Sequence, residues 1–111
     1  MDIGEKRQGA VVTLSPKGPI DNTTSPAFQA KLLGGLASEG AIVIVDMAGV
    51  EYISSAGLAT LMMGSKQSKA IKGRIAVCAL KPVVKEIFDI SRFTQFIEIF
   101  PTEAEALAKL R

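Results

Sequence analysis

Apolar runs along the chain alternate with polar breaks marked by glycine or proline, and the period of each run predicts an element. Ala10-Val11-Val12-Thr13-Leu14 is a β-branched run, the composition of a strand. Met1 to Arg7 is placed beside it as an edge strand, with Gln8-Gly9 turning between them. Ser15-Pro16-Lys17-Gly18-Pro19 gathers breakers and predicts a loop. Phe28, Leu32 and Leu36 recur every four residues, the spacing of one helical face. Ser25 is the expected N-cap of that helix, Pro26 its first residue, and Gly40 its stop.

Ala41 to Met47 is almost continuously apolar apart from Asp46, as in a parallel strand covered on both faces. Residues 49–53 connect it to Ser54-Ser55, which opens a helix with Leu58, Leu61, Met62 and Ser65 on one face. Lys66, Lys69 and Lys72 fall towards the end of that helix, where cations complement the dipole, and Gly73 is its expected stop. Arg74 to Leu80 predicts another strand, and Pro82 opens a short helix carrying Val83, Val84, Ile87 and Phe88. Phe96 to Phe100 alternates like a half-buried strand. Pro101-Thr102-Glu103 opens a last helix capped by Thr102 and carrying Ala106, Leu107 and Leu110. The alternation predicts an α/β domain over residues 1–111, with a mixed, mostly parallel sheet of four to five strands and about four helices. Sites in such sheets gather beyond the carboxyl ends of the strands, and the short link from the strand at 41–47 brings Ser54 to such an end.

Composition narrows the function. The 111 residues are 48% hydrophobic and 22% charged, a folding composition of single-domain size. Thirteen Lys+Arg against 11 Asp+Glu leave a net charge of +2, too balanced to predict nucleic-acid binding. No apolar run approaches the roughly 20 residues of a membrane span, and the N-terminus lacks a signal-peptide stretch, so a soluble cytoplasmic domain is expected. Histidine is absent and Cys78 is the single cysteine. That excludes Ser-His-Asp and Cys-His chemistry, a zinc site of Cys and His, and an intrachain disulfide. No phosphate-cradling glycine loop is present, so nothing points to an autonomous nucleotide-binding enzyme; no cofactor and no metal are expected. Cys78 lies in an apolar strand and reads as an inert thiol; Met62 and Met63 read as core fillers.

The segment from Val45 to Leu58 holds the candidate chemistry: a buried strand, a loop, and two serines at a helix N-terminus. The first N–H groups of a helix have no intrahelical partner, and their partial positive charge suits an anion. A phosphoserine there is tolerated electrostatically and changes the surface sharply. Gly57 removes bulk beside the hydroxyls, leaving room either for a partner chain or for packing against the sheet. The residue types alone equally allow Ser54 or Ser55 to be only an N-cap. Asp21 has two readings as well, shaping its loop or facing a partner. Asp46 is expected to bond loop amides at the strand end.

The same segment resembles the signature of the STAS domain family, in particular the bacterial anti-sigma factor antagonists. Val43-Ile44-Val45-Asp46 corresponds to the family's strand and its Asp, Tyr52-Ile53 precedes the signature, and Ser54-Ser55-Ala56-Gly57-Leu58 matches its Asp-Ser-(Ser/Thr/Ala)-Gly-Leu segment. Gly18-Pro19-Ile20-Asp21 is similar to the loop before the first helix, Gly73 to Phe88 to the later strand, Pro-x-Val and helix, and Asp89 to Phe93 to the turn that follows. The resemblance implies that Ser55 is a phosphoacceptor, with Ser54 the second choice. It implies as partner an anti-sigma factor that is also an ATP-using serine kinase, and a phosphatase that reverses the modification. The unphosphorylated form would bind that kinase and release a sigma factor. Asp21, Asn22, Thr23, Ser54, Ser55, Ala56 and Gly57 form the implied partner surface. Ser54 stands where the family usually has Asp.

Two other readings remain open. STAS chains also serve lipid ABC transporters or signalling scaffolds, where Ser55 would go unphosphorylated. A serine hydrolase would need a lysine or carboxylate base in place of histidine. The resemblance favours a binding module over an enzyme, monomeric or weakly dimeric, without membrane insertion.

Overall fold

A computed structural model describes residues 1–110. The elements run β1 (Asp2–Gln8), β2 (Val11–Lys17), α1 (Ser25–Gly35), β3 (Ile42–Asp46), α2 (Ser55–Ala70), β4 (Arg74–Cys78), α3 (Pro82–Ile90), β5 (Glu98–Phe100) and α4 (Glu103–Leu110), with a 3-10 turn over Phe93–Gln95. The strands form one sheet in the order β1-β2-β3-β4-β5. β1 pairs antiparallel with β2, and β2, β3, β4 and β5 run parallel. This is the mixed, mostly parallel α/β sheet that the alternation predicts, with five strands and four helices.

The period of two in the strands sorts side chains between two cores. Val12, Leu14, Val43, Val45, Ile75 and Val77 point to one face. They pack there with Phe28, Leu32 and Leu36 from α1 and its C-terminal end, Leu61 of α2, and Val84 and Phe88 of α3. On the other face Val11, Ile44, Ala76 and Cys78 meet Ala106 and Leu110 of α4. β3 is therefore apolar throughout because both its faces are covered. Truncating Phe28 or Phe88, both fully buried, would cost about 3–5 kcal/mol.

Several boundaries differ from the sequence expectation. Ser15, Pro16 and Lys17 belong to β2, not to a loop, because a long hairpin pairs them with β1 (Ile3 opposite Pro16). Pairing of β2 with β3 ends at Leu14, so the N–H that proline lacks costs no bond on that side. The cap of α1 is Thr24 and not Ser25, which is buried in the first turn. α1 ends at Gly35, and Gly40 lies further on at φ +78, its N–H bonded to the Ile71 carbonyl. α2 ends at Ala70, and its left-handed residue is Lys72 (φ 56), not Gly73. Gly73 serves close approach, since a Cβ on it would run into the Ala41 carbonyl. β4 stops at Cys78, and Ala79 turns the chain at φ 58. β5 begins only at Glu98, because Phe93–Gln95 coil into the 3-10 turn. Met62 is half-buried against the core, but Met63 is exposed. Thr102 caps α4 as expected, its hydroxyl accepting from the Glu105 N–H at 3.2 Å. No helix among the described residues is long and apolar enough to cross a membrane.

Candidate functional site

The two helix starts that the sequence singles out lie together beyond the carboxyl ends of β2 and β3. Three backbone hydrogen bonds join them. Gly18 donates to Gly49 O at 2.9 Å, Ile20 to Tyr52 O at 2.9 Å, and Ser54 to Ile20 O at 2.8 Å. Ile20 and Ile53 form an isolated parallel bridge within this seam. Both side chains are buried and form the floor of the site.

α2 rests directly on that floor. A Cβ on Gly57 would lie 2.6 Å from Ile53 Cγ1 and 2.8 Å from Ile20 Cγ2, so the first turn can sit there only with glycine. Of the two roles open to Gly57, the structure gives it packing: it is buried and faces inward. Ile20 and Ile53 were not among the expected site residues. The signal for Ile53 is its place as the apolar residue four positions before Gly57, under the same turn.

The serine pair divides its work. Ser54 is the N-cap, in extended conformation, and its Oγ accepts from the Gly57 N–H at 3.4 Å. Leu58 N–H bonds the Ser54 carbonyl at 2.9 Å, the first regular helical bond. Ser55 is the first helical residue and is exposed. Because Ser54 supplies the cap, the Ser55 hydroxyl stands at the positive end of a 16-residue helix with no capping duty. No acidic side chain occupies that first turn.

The start of α1 is organised by Asp21. Its Oδ1 accepts from the Thr23 hydroxyl at 2.7 Å, the Thr23 N–H at 2.9 Å and the Thr24 N–H at 3.2 Å. These bonds, the Thr23 hydroxyl foremost, hold the Asp21 carboxyl below its ordinary range. The Thr24 hydroxyl bridges Asp21 N–H and the Pro19 carbonyl, each at 2.9 Å. Asp21 therefore shapes its loop. Together with Asn22, Thr23 and Ser54 it lines a shallow hollow of about 310 Å³. Ala56 is half-buried in the first turn of α2. Of the seven expected partner residues, Asp21, Asn22, Thr23 and Ser54 line the hollow, Ser55 and Ala56 follow in the first turn of α2, and Gly57 is buried against Ile20 and Ile53.

Asp46 does what the strand end requires, its Oδ1 accepting from the Ala48 N–H at 3.0 Å. Cys78 is fully buried, and burial, with Asp46 and Glu103 nearby, pushes its thiol up to about 12, which keeps it protonated. Among the described residues no group of three metal-ligating side chains comes together.

Comparison with known proteins places the fold and the family. A Bordetella bronchiseptica protein named as a candidate anti-sigma factor antagonist, BtrV, is 33% identical over 85 residues, covering 77% of this chain and 71% of its own. The crystal structure of an anti-sigma factor antagonist from Mycobacterium paratuberculosis superposes with a TM-score of 0.89 at 23% identity, over 99% of this chain and 93% of that one. The antagonist SpoIIAA superposes in its unphosphorylated form with a TM-score of 0.83 at 19% identity, over 99% and 96%. The phosphorylated form from Bacillus gives 0.75 at 17%, over 99% and 100%. At these identities the structures establish a shared fold. The family model of the STAS domain matches residues 4–106, and the chain accordingly belongs to the STAS domain family.

Proposed function

We propose that this STAS chain is an anti-sigma factor antagonist, a cytoplasmic binding module switched off by phosphorylation of Ser55. The observation that carries the reading is the division of the serine pair: Ser54 caps α2 and lines the hollow with Asp21, Asn22 and Thr23, and the next residue, Ser55, is exposed and takes no part in the cap. The name borne by the 33% identical relative supports the antagonist role. In the unphosphorylated state the surface around the neutral Ser55 hydroxyl binds an anti-sigma factor with serine kinase activity, and a sigma factor is released. The kinase transfers the γ-phosphoryl group of ATP to Ser55 Oγ, whose proton is lost, and ADP leaves.

The switch is local. A phosphate brings about −1.5 to −2 charge at pH 7. The α2 dipole tolerates it, so the fold persists. An interface complementary to a neutral hydroxyl would instead have to bury an unpaired dianion. A phosphatase removes the group by hydrolysis and restores binding.

Incubation with the cognate anti-sigma kinase and ATP, followed by mass spectrometry of the peptides, tests the reading. One phosphate on Ser55 is expected, and none on the Ser55→Ala variant. An active kinase that leaves Ser55 unmodified contradicts the switch.

A further inference from the structure

A second hollow lies away from the serine surface, at the other side of the sheet's carboxyl end. It is a cleft of about 530 Å³ bounded by Leu80, Ile99, Phe100 and Pro101, with Lys85 and Asp89 of α3 on its rim. That volume is within the range of small-molecule pockets. Its position has a topological cause. After β4 the chain passes to α3 on one face of the sheet, and after β5 it passes to α4 on the other. Adjacent parallel strands whose connections part in this way leave a crevice at their carboxyl ends, where open α/β sheets bind ligands.

Helix stability accounts for little of the two rim charges. Lys85 Nζ and Asp89 Oδ2 are 3.3 Å apart at i and i+4, with both side chains more than half exposed. The cation comes first, the less favourable order for such a pair. The first turn of α3 holds no acid and its last turn no base, so Lys85 in the N-terminal half and Asp89 at the penultimate position both oppose the dipole. An exposed pair of this kind contributes little on its own and is readily separated.

We propose that this cleft binds a zwitterionic amino acid with an apolar side chain. Its carboxylate pairs with Lys85, its ammonium with Asp89, and its side chain lies against Leu80, Ile99 and Phe100. One positive and one negative group on the rim match a ligand carrying one of each, which replaces the weak Lys85–Asp89 pair with two; a single-headed acid or amine would have to break that pair and leave one rim charge unmatched. The site is separate from Ser55 and does not depend on phosphorylation.

The test is an NMR titration of the uniformly 15N-labelled chain with L-leucine. In parallel, 4-methylpentanoate, which lacks the amine, and 3-methylbutylamine, which lacks the carboxylate, are titrated. Leucine should move the amides of Leu80, Lys85, Asp89, Ile99 and Phe100 saturably and leave Ser55 unmoved. Each analogue should bind about fivefold more weakly or worse, as should leucine to Lys85→Gln and to Asp89→Asn. Both substitutions are at exposed positions, and circular dichroism of each variant checks that it folds. No saturable movement with leucine overturns the proposal, as do analogues that bind as tightly as leucine or variants that keep wild-type affinity.

Discussion

Helices α1 and α2 begin side by side, and their first turns use polar side chains in opposite ways. At α1 the side chains are turned on their own backbone. Asp21 Oδ1 takes two donors from Thr23 and the Thr24 N–H, and the Thr24 hydroxyl closes the loop onto Pro19. At α2 one serine makes one long cap bond, and the next serine has no part in it. The same residue types thus mark structure in the first case and availability in the second. What separates them is how much of each side chain's hydrogen-bonding capacity the fold already uses.

That contrast can be broken from beneath. Gly57→Val forces a branched side chain onto Ile20 and Ile53, which hold the two helix starts together. We expect a loss of about 2–3 kcal/mol by chemical denaturation. Partner binding should fall with it, since the seam positions both loops.

Smaller effects sharpen the division of the serines. Ser54→Ala removes the cap and should cost about 0.5–1 kcal/mol, at the low end for a cap because the bond is long. Asp21 contributes through its ionised form. Its folded pKa lies below the ordinary 3.8, so its contribution is complete above that value and is lost as pH falls through the folded one. Denaturation midpoints followed from neutral pH to below 3.8 should therefore fall more steeply for wild type than for Asp21→Asn. Ser55→Ala should shift stability by no more than about 0.5 kcal/mol, since the residue is exposed and has no capping role. Equal losses for Ser54→Ala and Ser55→Ala would erase the distinction between them.

Much of this was legible in the chain. The apolar run of β3, the four-residue period of Phe28, Leu32 and Leu36, and the cap Thr102 are local signals, and local physics decides them. The errors arose where distant contacts decide. Pro16 reads as a breaker, yet pairing with β1 draws it into a strand. Gly73 reads as a helix stop, but Lys72 adopts the left-handed turn, and Gly73 is needed because Ala41 passes against it. The serine pair was visible as a motif. Which serine caps and which is free depends on where the helix begins, and the Ile20 bridge fixes that point.

The central claim is that a negative group on Ser55 disrupts recognition without disturbing the fold. Its most direct measurement is the affinity of the anti-sigma kinase for the wild-type chain and for Ser55→Asp, with thermal midpoints measured on the same samples. Weakened binding of Ser55→Asp with a midpoint equal to or slightly above that of wild type is the predicted result, the helix dipole contributing about 0.3–0.5 kcal/mol in its favour. Undiminished affinity, or a loss of affinity that only tracks unfolding, would contradict it.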